Sequence, residues 1–242
     1  MTRLAAWTPR SCLLDRLPSD LCTRLAPELH LVELPVGKTL VDPGNGAGGQ
    51  VYFVRSGIVS VLYVTADGDS GEIATIGNEG MLGLRLLTGS PGVHTRAVVQ
   101  ASGEAFAMRA EVMEREFRRG GPFQAMVLRH IQWVLSQMAQ AAICNRHHSI
   151  EKQLCRWLLL GFDRLGGNDD LRITQEALAN LLGVRREGVT EAAGRLQEAG
   201  AISYSRGCIH LEDRAALEQR ACECYAVLHG NYRQLCDGGT FE

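Results

Sequence analysis

The sequence predicts an α+β chain: an N-terminal β-roll, double-stranded and jelly-roll-like, then one long dimerisation helix, then a C-terminal winged helix-turn-helix. Three observations predict it. Between His30 and Met108 short β-prone runs alternate with glycine-bearing turns. After Gly120-Gly121-Pro122, apolar residues recur at intervals of three and four over more than two heptads. Between Ile173 and Ala201, two short helical patterns flank a single glycine, and a hairpin pattern follows them.

The chain enters through a helical stretch in which Leu13, Leu14, Leu17, Leu21 and Leu25 keep helical spacing, with Pro18-Ser19-Asp20 as a break and restart. Strands are then expected over residues 31–34, 39–41, 51–54, 58–64, 72–76, 96–101 and 105–108. Turn formers bound them, among them Pro35-Val36-Gly37, Ser56-Gly57, Asp67-Gly68 and Ser102-Gly103. The glycine-rich residues 42–49 read as a mobile turn rather than a phosphate cradle.

In the long helix, Val127, Ile131, Val134, Met138 and Ala141 form one apolar stripe, expected to meet a second copy of the chain. Met126, Trp133 and Gln137 form another, expected to rest on the roll. Residues 145–148 are polar and read as a hinge before a second helix over residues 149–164, with Ile150, Leu154, Trp157, Leu158 and Gly161 inward. The expected divisions are residues 1–120 for the sensor roll, 121–146 for the dimer helix, 147–222 for the winged unit and 223–242 for a helical tail. The chain looks helical from Glu212 to Leu235, where Leu217, Ala221, Tyr225, Leu228 and Tyr232 fall on one stripe, expected to pack on the winged unit or on the partner.

The stretch from Ile173 to Ala201 carries the functional signal. Thr174 caps a helix in which Ala177, Leu178, Leu181 and Leu182 are apolar. A helix-turn-helix needs a small residue where its helices touch, a glycine of positive φ at the turn, and an apolar lock on the second helix; Ala179, Gly183 and Val189 stand at those places. Arg185, Arg186, Glu187, Gly188, Thr190 and Glu191 occupy the front of the second helix, where base edges are met. Arg186 can donate two hydrogen bonds to guanine N7 and O6, and Glu187 can accept from cytosine N4. The hairpin downstream forms a wing with Arg206 at its tip, within reach of a phosphate.

Net charge is −2, so a DNA-binding surface has to be local, and affinity has to come from well-placed arginines and from dimerisation. No apolar run reaches the ~20 residues of a membrane helix, and no signal peptide is apparent; residues 7–10 interrupt the one candidate, so a cytoplasmic location is expected. The eight cysteines read as small buried hydrophobes. Cys208, Cys222, Cys224 and Cys236 match no usual zinc spacing, and adjacent His147 and His148 cannot easily share one ion, so no metal is assigned. Two other function classes stay open: a small-molecule receptor whose helix-turn-helix contacts protein, and an enzyme in a cupin-like roll. The second is disfavoured because the roll offers only the separated His30 and His94 as imidazoles.

Two stretches, VYFVRSGIVSV over residues 51–61 and GVRREGVTEAAGRLQEAGAI over residues 183–202, resemble the Crp/Fnr family of bacterial transcription regulators. The likeness covers nearly the whole chain in the family's order. It implies a homodimer on a pseudo-palindromic duplex, with RNA polymerase as a further partner, no membrane and no catalysis. It supports base contacts by Arg186 and Glu187, with Thr190 beside them. It places Glu191 where relatives carry a second arginine, and puts Thr174, Glu176, Arg185 and Arg206 at or beside phosphate-touching positions.

The resemblance also locates the effector pocket, and there the chain departs. Gly83-Leu84 replaces a Gly-Glu pair that holds ribose. Thr95-Arg96 stands near an Arg-Ser pair that holds the cyclic phosphate, its arginine shifted by one place and so expected on the opposite strand face. Met138 and Ala139 stand where hydroxyls meet the purine. An anion without an aimed cation is poorly held, so no cofactor and no ordinary cyclic AMP response are expected. Iron–sulfur sensing is not expected either, since Cys12 and Cys22 alone cannot supply four thiolates.

Overall fold

A computed structural model of the chain describes residues 11–42, 49–84 and 94–241. Apart from its ends, the expected turn over residues 42–49 lies outside these, as do residues 7–10. Two short helices, α1 (Cys12–Asp15) and α2 (Ser19–Leu25), lead into β1 (His30–Leu34), β2 (Thr39–Val41), β3 (Gln50–Val64), β4 (Ser70–Ile76), β5 (Met81–Leu82) and β6 (Thr95–Arg109). Then come α3 (Ala110–Arg118), the 27-residue α4 (Gly121–His147) and α5 (Ile150–Arg164). The C-terminal unit holds β7 (Asp170–Arg172), α6 (Gln175–Leu182), α7 (Arg186–Glu198), β8 (Ile202–Ser205), β9 (Cys208–Leu211), α8 (Arg214–Arg220) and α9 (Glu223–Asp237).

The roll is an antiparallel sheet in the order β1-β6-β3-β4, with β2 paired to β6 and β5 to β3. Its two long strands correct the expected turns at Ser56-Gly57 and Ser102-Gly103. The chain does not reverse there; β3 and β6 run through side by side, with register shifts around Ser56 and Ile58. Both glycines are needed at this bulge. Gly57 has φ +89°, and a Cβ on Gly103 would lie 2.1 Å from the Ser56 carbonyl oxygen. Helix α3 was not anticipated; its Val112 and Met113 close one end of the roll core.

That core joins Leu13, Leu14, Leu21 and Leu25 to Phe53, Val59, Met81, Val99 and Met108, and to Phe123, Met126, Val127 and Trp133 of α4. A second core lies in the winged unit, where α5 supplies Leu154, Trp157, Leu158 and Phe162. The two units touch through buried polar contacts. Trp157 Nε1 donates to Glu72 Oε1 at 2.9 Å, and Thr75 Oγ1 donates to the same oxygen at 2.8 Å. Burial raises the Glu72 carboxyl above the usual carboxylate range, although Ser60, Thr75 and Trp157 all donate to it.

The tail is two helices rather than one continuous stripe, because Ala221 and Cys222 adopt extended backbone between α8 and α9. Helix α9 packs along α4 and α5 and against α1 of its own chain. A disulfide joins Cys12 to Cys236. Arg16 donates to the carbonyls of Leu235 and Gly239, and its guanidinium stacks 4.2 Å from the Phe241 ring centre.

Candidate DNA-binding face and effector cavity

The helix-turn-helix is built by local chemistry. Thr174 Oγ1 accepts from the Ala177 backbone N–H at 3.1 Å and starts α6. Gly183 ends α6 in the left-handed region, φ +66° and ψ +35°. The chain turns through Val184 and re-enters helix at Arg186. Ala179 and Val189 are both buried where the helices meet, as the spacing requires.

Helix α7 divides cleanly. Val189, Ala192, Ala193 and Leu196 are buried in the winged core. Arg185, Arg186, Glu187, Thr190 and Glu191 are exposed and share the leading end. Gly188 belongs to neither set: a Cβ there would meet Ile150 Cδ1 at 2.6 Å, so this position serves the close approach of α7 to α5 and not a base. The Thr190 hydroxyl lies 2.7 Å from Gln175 Oε1 and 3.1 Å from the Arg186 carbonyl, which ties the front of α7 to the start of α6.

Thr174 and Glu176 are exposed at the amino end of α6. Glu176 is itself anionic, so the anion-compatible donors at the start of α6 are backbone N–H groups and not its side chain. The wing is a three-stranded sheet in the order β7-β9-β8. Its tip is a two-residue turn in which Arg206 (φ +50°) and Gly207 (φ +76°) both take positive φ, and the Arg206 side chain stands exposed.

The predicted effector positions converge on one cavity of about 180 Å³ between the roll and α4. Gly83, Leu84, Thr95, Arg96 and Met138 line it, with Val41, Val61, Ile76, Met81, Leu82, Ala97 and Val134. Ala139 does not; it is exposed on α4. Contrary to the expectation that Arg96 turns to the opposite strand face, Arg96 lines the cavity together with Thr95. Its Nε lies 3.5 Å from Asp42 Oδ2 across the cavity's edge.

Much of the stripe expected to meet a second chain is taken up by this chain's own fold. Val127 is fully buried in its own chain's core, and Ile131 and Val134 pack partly against the same core. Met138 faces the cavity and Ala141 is half-buried. The large apolar residues of α4 that stand free are Leu128, Leu135 and Ile143, each more than half exposed. A stripe one residue later includes Leu128 and Leu135, and Ile143 stands two residues after Ala141. The break between α4 and α5 lies at the end of the expected polar run: α4 continues through His147, and Ser149 caps α5 by accepting from Lys152 N.

The cysteines assort differently from the sequence grouping. Cys236 is bonded to Cys12 and Cys208 sits in the wing, whereas Cys222 and Cys224 meet Cys144 and His148 from the end of α4.

Comparison with known proteins accords with this architecture. Residues 31–119 match the cyclic nucleotide-binding domain family, and residues 152–220 match the Crp-like helix-turn-helix domain family. The chain belongs to the Crp/Fnr family. The global nitrogen regulator of Synechocystis sp. is 25 % identical over 191 residues, 76 % of this chain and 84 % of that protein. Among solved structures, a Crp/Fnr-family regulator from Eubacterium rectale shares the fold at TM-score 0.67 and 20 % identity, covering 86 % of this chain and 96 % of its own. FixK2 from Bradyrhizobium japonicum also matches at TM-score 0.67, with 15 % identity over 80 % of this chain and 98 % of its own. This Crp/Fnr-family member is thus a transcription regulator with a cyclic nucleotide-binding-type roll and a DNA-binding helix-turn-helix. No helix among the described residues is long and apolar enough to cross a membrane.

Proposed function

We propose that this regulator binds a pseudo-palindromic duplex as a homodimer, with Arg186 and Glu187 reading base edges, and that it does not respond to cyclic AMP. The exposed leading end of α7 carries the reading. Arg185, Arg186, Glu187, Thr190 and Glu191 stand clear of the protein while the opposite side of the same helix is locked in the core. Two such helices must lie about 34 Å apart to enter successive major grooves. The free stripe of Leu128, Leu135 and Ile143 on α4 is the surface that favours pairing two chains. Contact with RNA polymerase and residence in the cytoplasm belong to the same reading, as does the absence of catalytic work.

Among the described residues the cavity's walls are mostly aliphatic, and the cation that lines it there, Arg96, already faces Asp42. A cyclic phosphate would have to compete with that carboxylate, and Leu84 offers nothing to a ribose. A small effector with a largely apolar body suits this space better.

Selection of bound DNA from a random pool tests the DNA reading, giving site, symmetry and half-site spacing together. Arg186→Ala should then weaken binding to the selected site by about 1–3 kcal/mol and relax one base position, with little change on scrambled DNA. Equal affinity of the wild type for selected and scrambled duplexes at every salt concentration would sink the proposal. Glu191→Arg should shift half-site preference if Glu191 faces the bases. A thermal shift on adding cyclic AMP would overturn the effector reading.

A further inference from the structure

Four side chains outside the DNA face and the effector cavity point into one small space. Cys144 lies in the last turn of α4 and His148 directly after that helix; Cys222 caps α9 and Cys224 lies in its first turn. Their ligand atoms, three sulfurs and one imidazole nitrogen, all lie within 4.8 Å of one another. Cys144 and Cys224 are fully buried, Cys222 is 5 % exposed, and the His148 side chain is 13 % exposed.

Two of the six spacings match the edges of a tetrahedral site, and all six are at most 4.8 Å. Bonds of about 2.3 Å to sulfur and 2.0–2.1 Å to nitrogen require S···S edges of about 3.8 Å and S···N edges of about 3.6 Å. Cys144 Sγ lies 3.7 Å from Cys222 Sγ, and Cys224 Sγ lies 3.5 Å from His148 Nδ1. The surroundings fit as well. His148 turns Nδ1 inward while its Nε2 lies 3.3 Å from the Glu223 carboxylate, the arrangement that fixes a metal-bound imidazole's tautomer and orientation. Gln140 Nε2 donates to Cys224 Sγ at 2.9 Å. The Arg156 guanidinium interacts electrostatically with Cys144, and its buried Nε has no hydrogen-bond partner among the described residues.

From this geometry we infer that Cys144, His148, Cys222 and Cys224 form a Cys₃His site for a thiophilic, tetrahedral divalent ion of the zinc class. On binding, three thiols release their protons to solvent and the imidazole binds neutral, so a dication leaves a net charge of −1 beside the Arg156 guanidinium. All four positions are taken by protein, so the site is closed and holds the ion without activating water. It joins the end of the α4 helix, where the chain turns into the DNA-binding unit, to the start of α9. A bound ion therefore fixes the α4–α5 junction, and its consequence for DNA affinity rests on the DNA-binding reading above.

The test uses the full-length protein, purified under reducing conditions, stripped with chelator and titrated with Zn²⁺ or Co²⁺. One equivalent per chain is expected, and the Co²⁺ form should show a thiolate-to-metal charge-transfer band with the strong visible bands of tetrahedral cobalt. Cys222→Ser and Cys224→Ser should abolish stoichiometric binding, whereas Cys155→Ser and Cys208→Ser should keep it. Glu223 is a positioning residue: Glu223→Gln should weaken the metal about 10–100-fold while the cobalt spectrum stays tetrahedral. Less than a stoichiometric amount of metal in the wild type would overturn the site. So would full retention by Cys222→Ser, or recovery of acid-labile sulfide with a brown chromophore. Loaded and stripped wild type should differ in DNA affinity by about fivefold or more. Equal DNA affinities would refute the coupling while the metal count stands, and absence of DNA binding in both would refute the DNA reading alone.

Discussion

Arg164 of α5 donates to Glu79 of the roll through both Nε and Nη2, at 2.9 and 2.7 Å to the same oxygen, with both side chains at 2 % exposure or less. The same guanidinium donates to the carbonyls of Leu160 and Thr75, and the Gly77 backbone N–H donates to Glu79. A Cβ on Gly77 would lie 2.7 Å from the Arg164 side chain, so the glycine leaves room for the arginine to enter. The helix-turn-helix unit is therefore keyed to the roll by a buried charge pair. Arg164→Met should destabilise the chain by about 3–5 kcal/mol, because it strands a buried carboxylate. Arg164→Met with Glu79→Gln should recover a large part of that loss. Urea unfolding of both single variants and the double variant reads the coupling; additive losses would show that the pair acts as two independent groups.

The bulge between β3 and β6 predicts a sharp contrast between glycines. Gly103→Ala places a methyl 2.1 Å from the Ser56 carbonyl oxygen, a backbone atom that cannot swing away. A loss of about 3 kcal/mol is expected. Gly71→Ala in β4 meets nothing within 4 Å and has no positive φ, so it should be neutral or stabilising by up to about 1 kcal/mol. Thermal or urea midpoints of the two variants check the contrast, and similar losses in both would show that the close approach at Gly103 is not what fixes the bulge.

Which parts of this molecule were legible in the sequence follows from how local their causes are. Thr174, Ala179, Gly183 and Val189 act within one helical hairpin, and each was readable from spacing and turn chemistry. Gly57 and Gly103 were misread as hairpin turns because a glycine for a bulge looks like a glycine for a turn until the opposing strand is known. The exposed Leu128, Leu135 and Ile143 are hard to single out in the sequence because α4 is apolar on two sides. Val127 looks like a seam residue only until the roll is seen to bury it. The Cys144, His148, Cys222 and Cys224 cluster was not legible at all. Its halves stand more than 70 residues apart and meet only because α9 folds back along α4.

Buried His130 predicts an acid-sensitive fold. Its ring is fully enclosed; Nε2 lies 3.0 Å from the Met81 carbonyl oxygen and 3.3 Å from the Met81 backbone nitrogen, and Nδ1 has no hydrogen-bond partner among the described residues. Burial lowers its pKa from 6.5 to about 4. The folded chain thus declines a proton that the unfolded chain accepts. Its contribution is complete above about pH 6.5 and is lost progressively as pH falls toward about 4, in total about 3 kcal/mol. His130→Leu removes this titration, so the difference between wild-type and variant stability should change along that slope. A difference that stays constant from pH 7 to 4.5 would contradict neutral burial.

The seam on α4 gives a prediction about assembly. Leu128 and Leu135 are seven residues apart, and Ile143 follows eight residues later, so the three lie on one side of the helix. At 51 %, 53 % and 54 % exposure they leave apolar surface on a chain whose other large apolar residues are mostly buried. Leu135→Glu places a charge at the middle of this stripe, where two copies across a two-fold axis would bring like charges together. The variant should remain folded, because Leu135 lies outside the roll core, but should sediment as a monomer at concentrations where the wild type is a dimer. Its affinity for a two-half-site duplex should fall toward that for a single half-site, since the linked second half is lost. Val127→Ala is the informative contrast. Val127 is buried within its own chain, so that change should lower stability by about 0.5–1.5 kcal/mol or more and leave the dimer intact. The reverse pattern, with dimerisation lost in Val127→Ala and kept in Leu135→Glu, would return the seam to the register first read from the sequence.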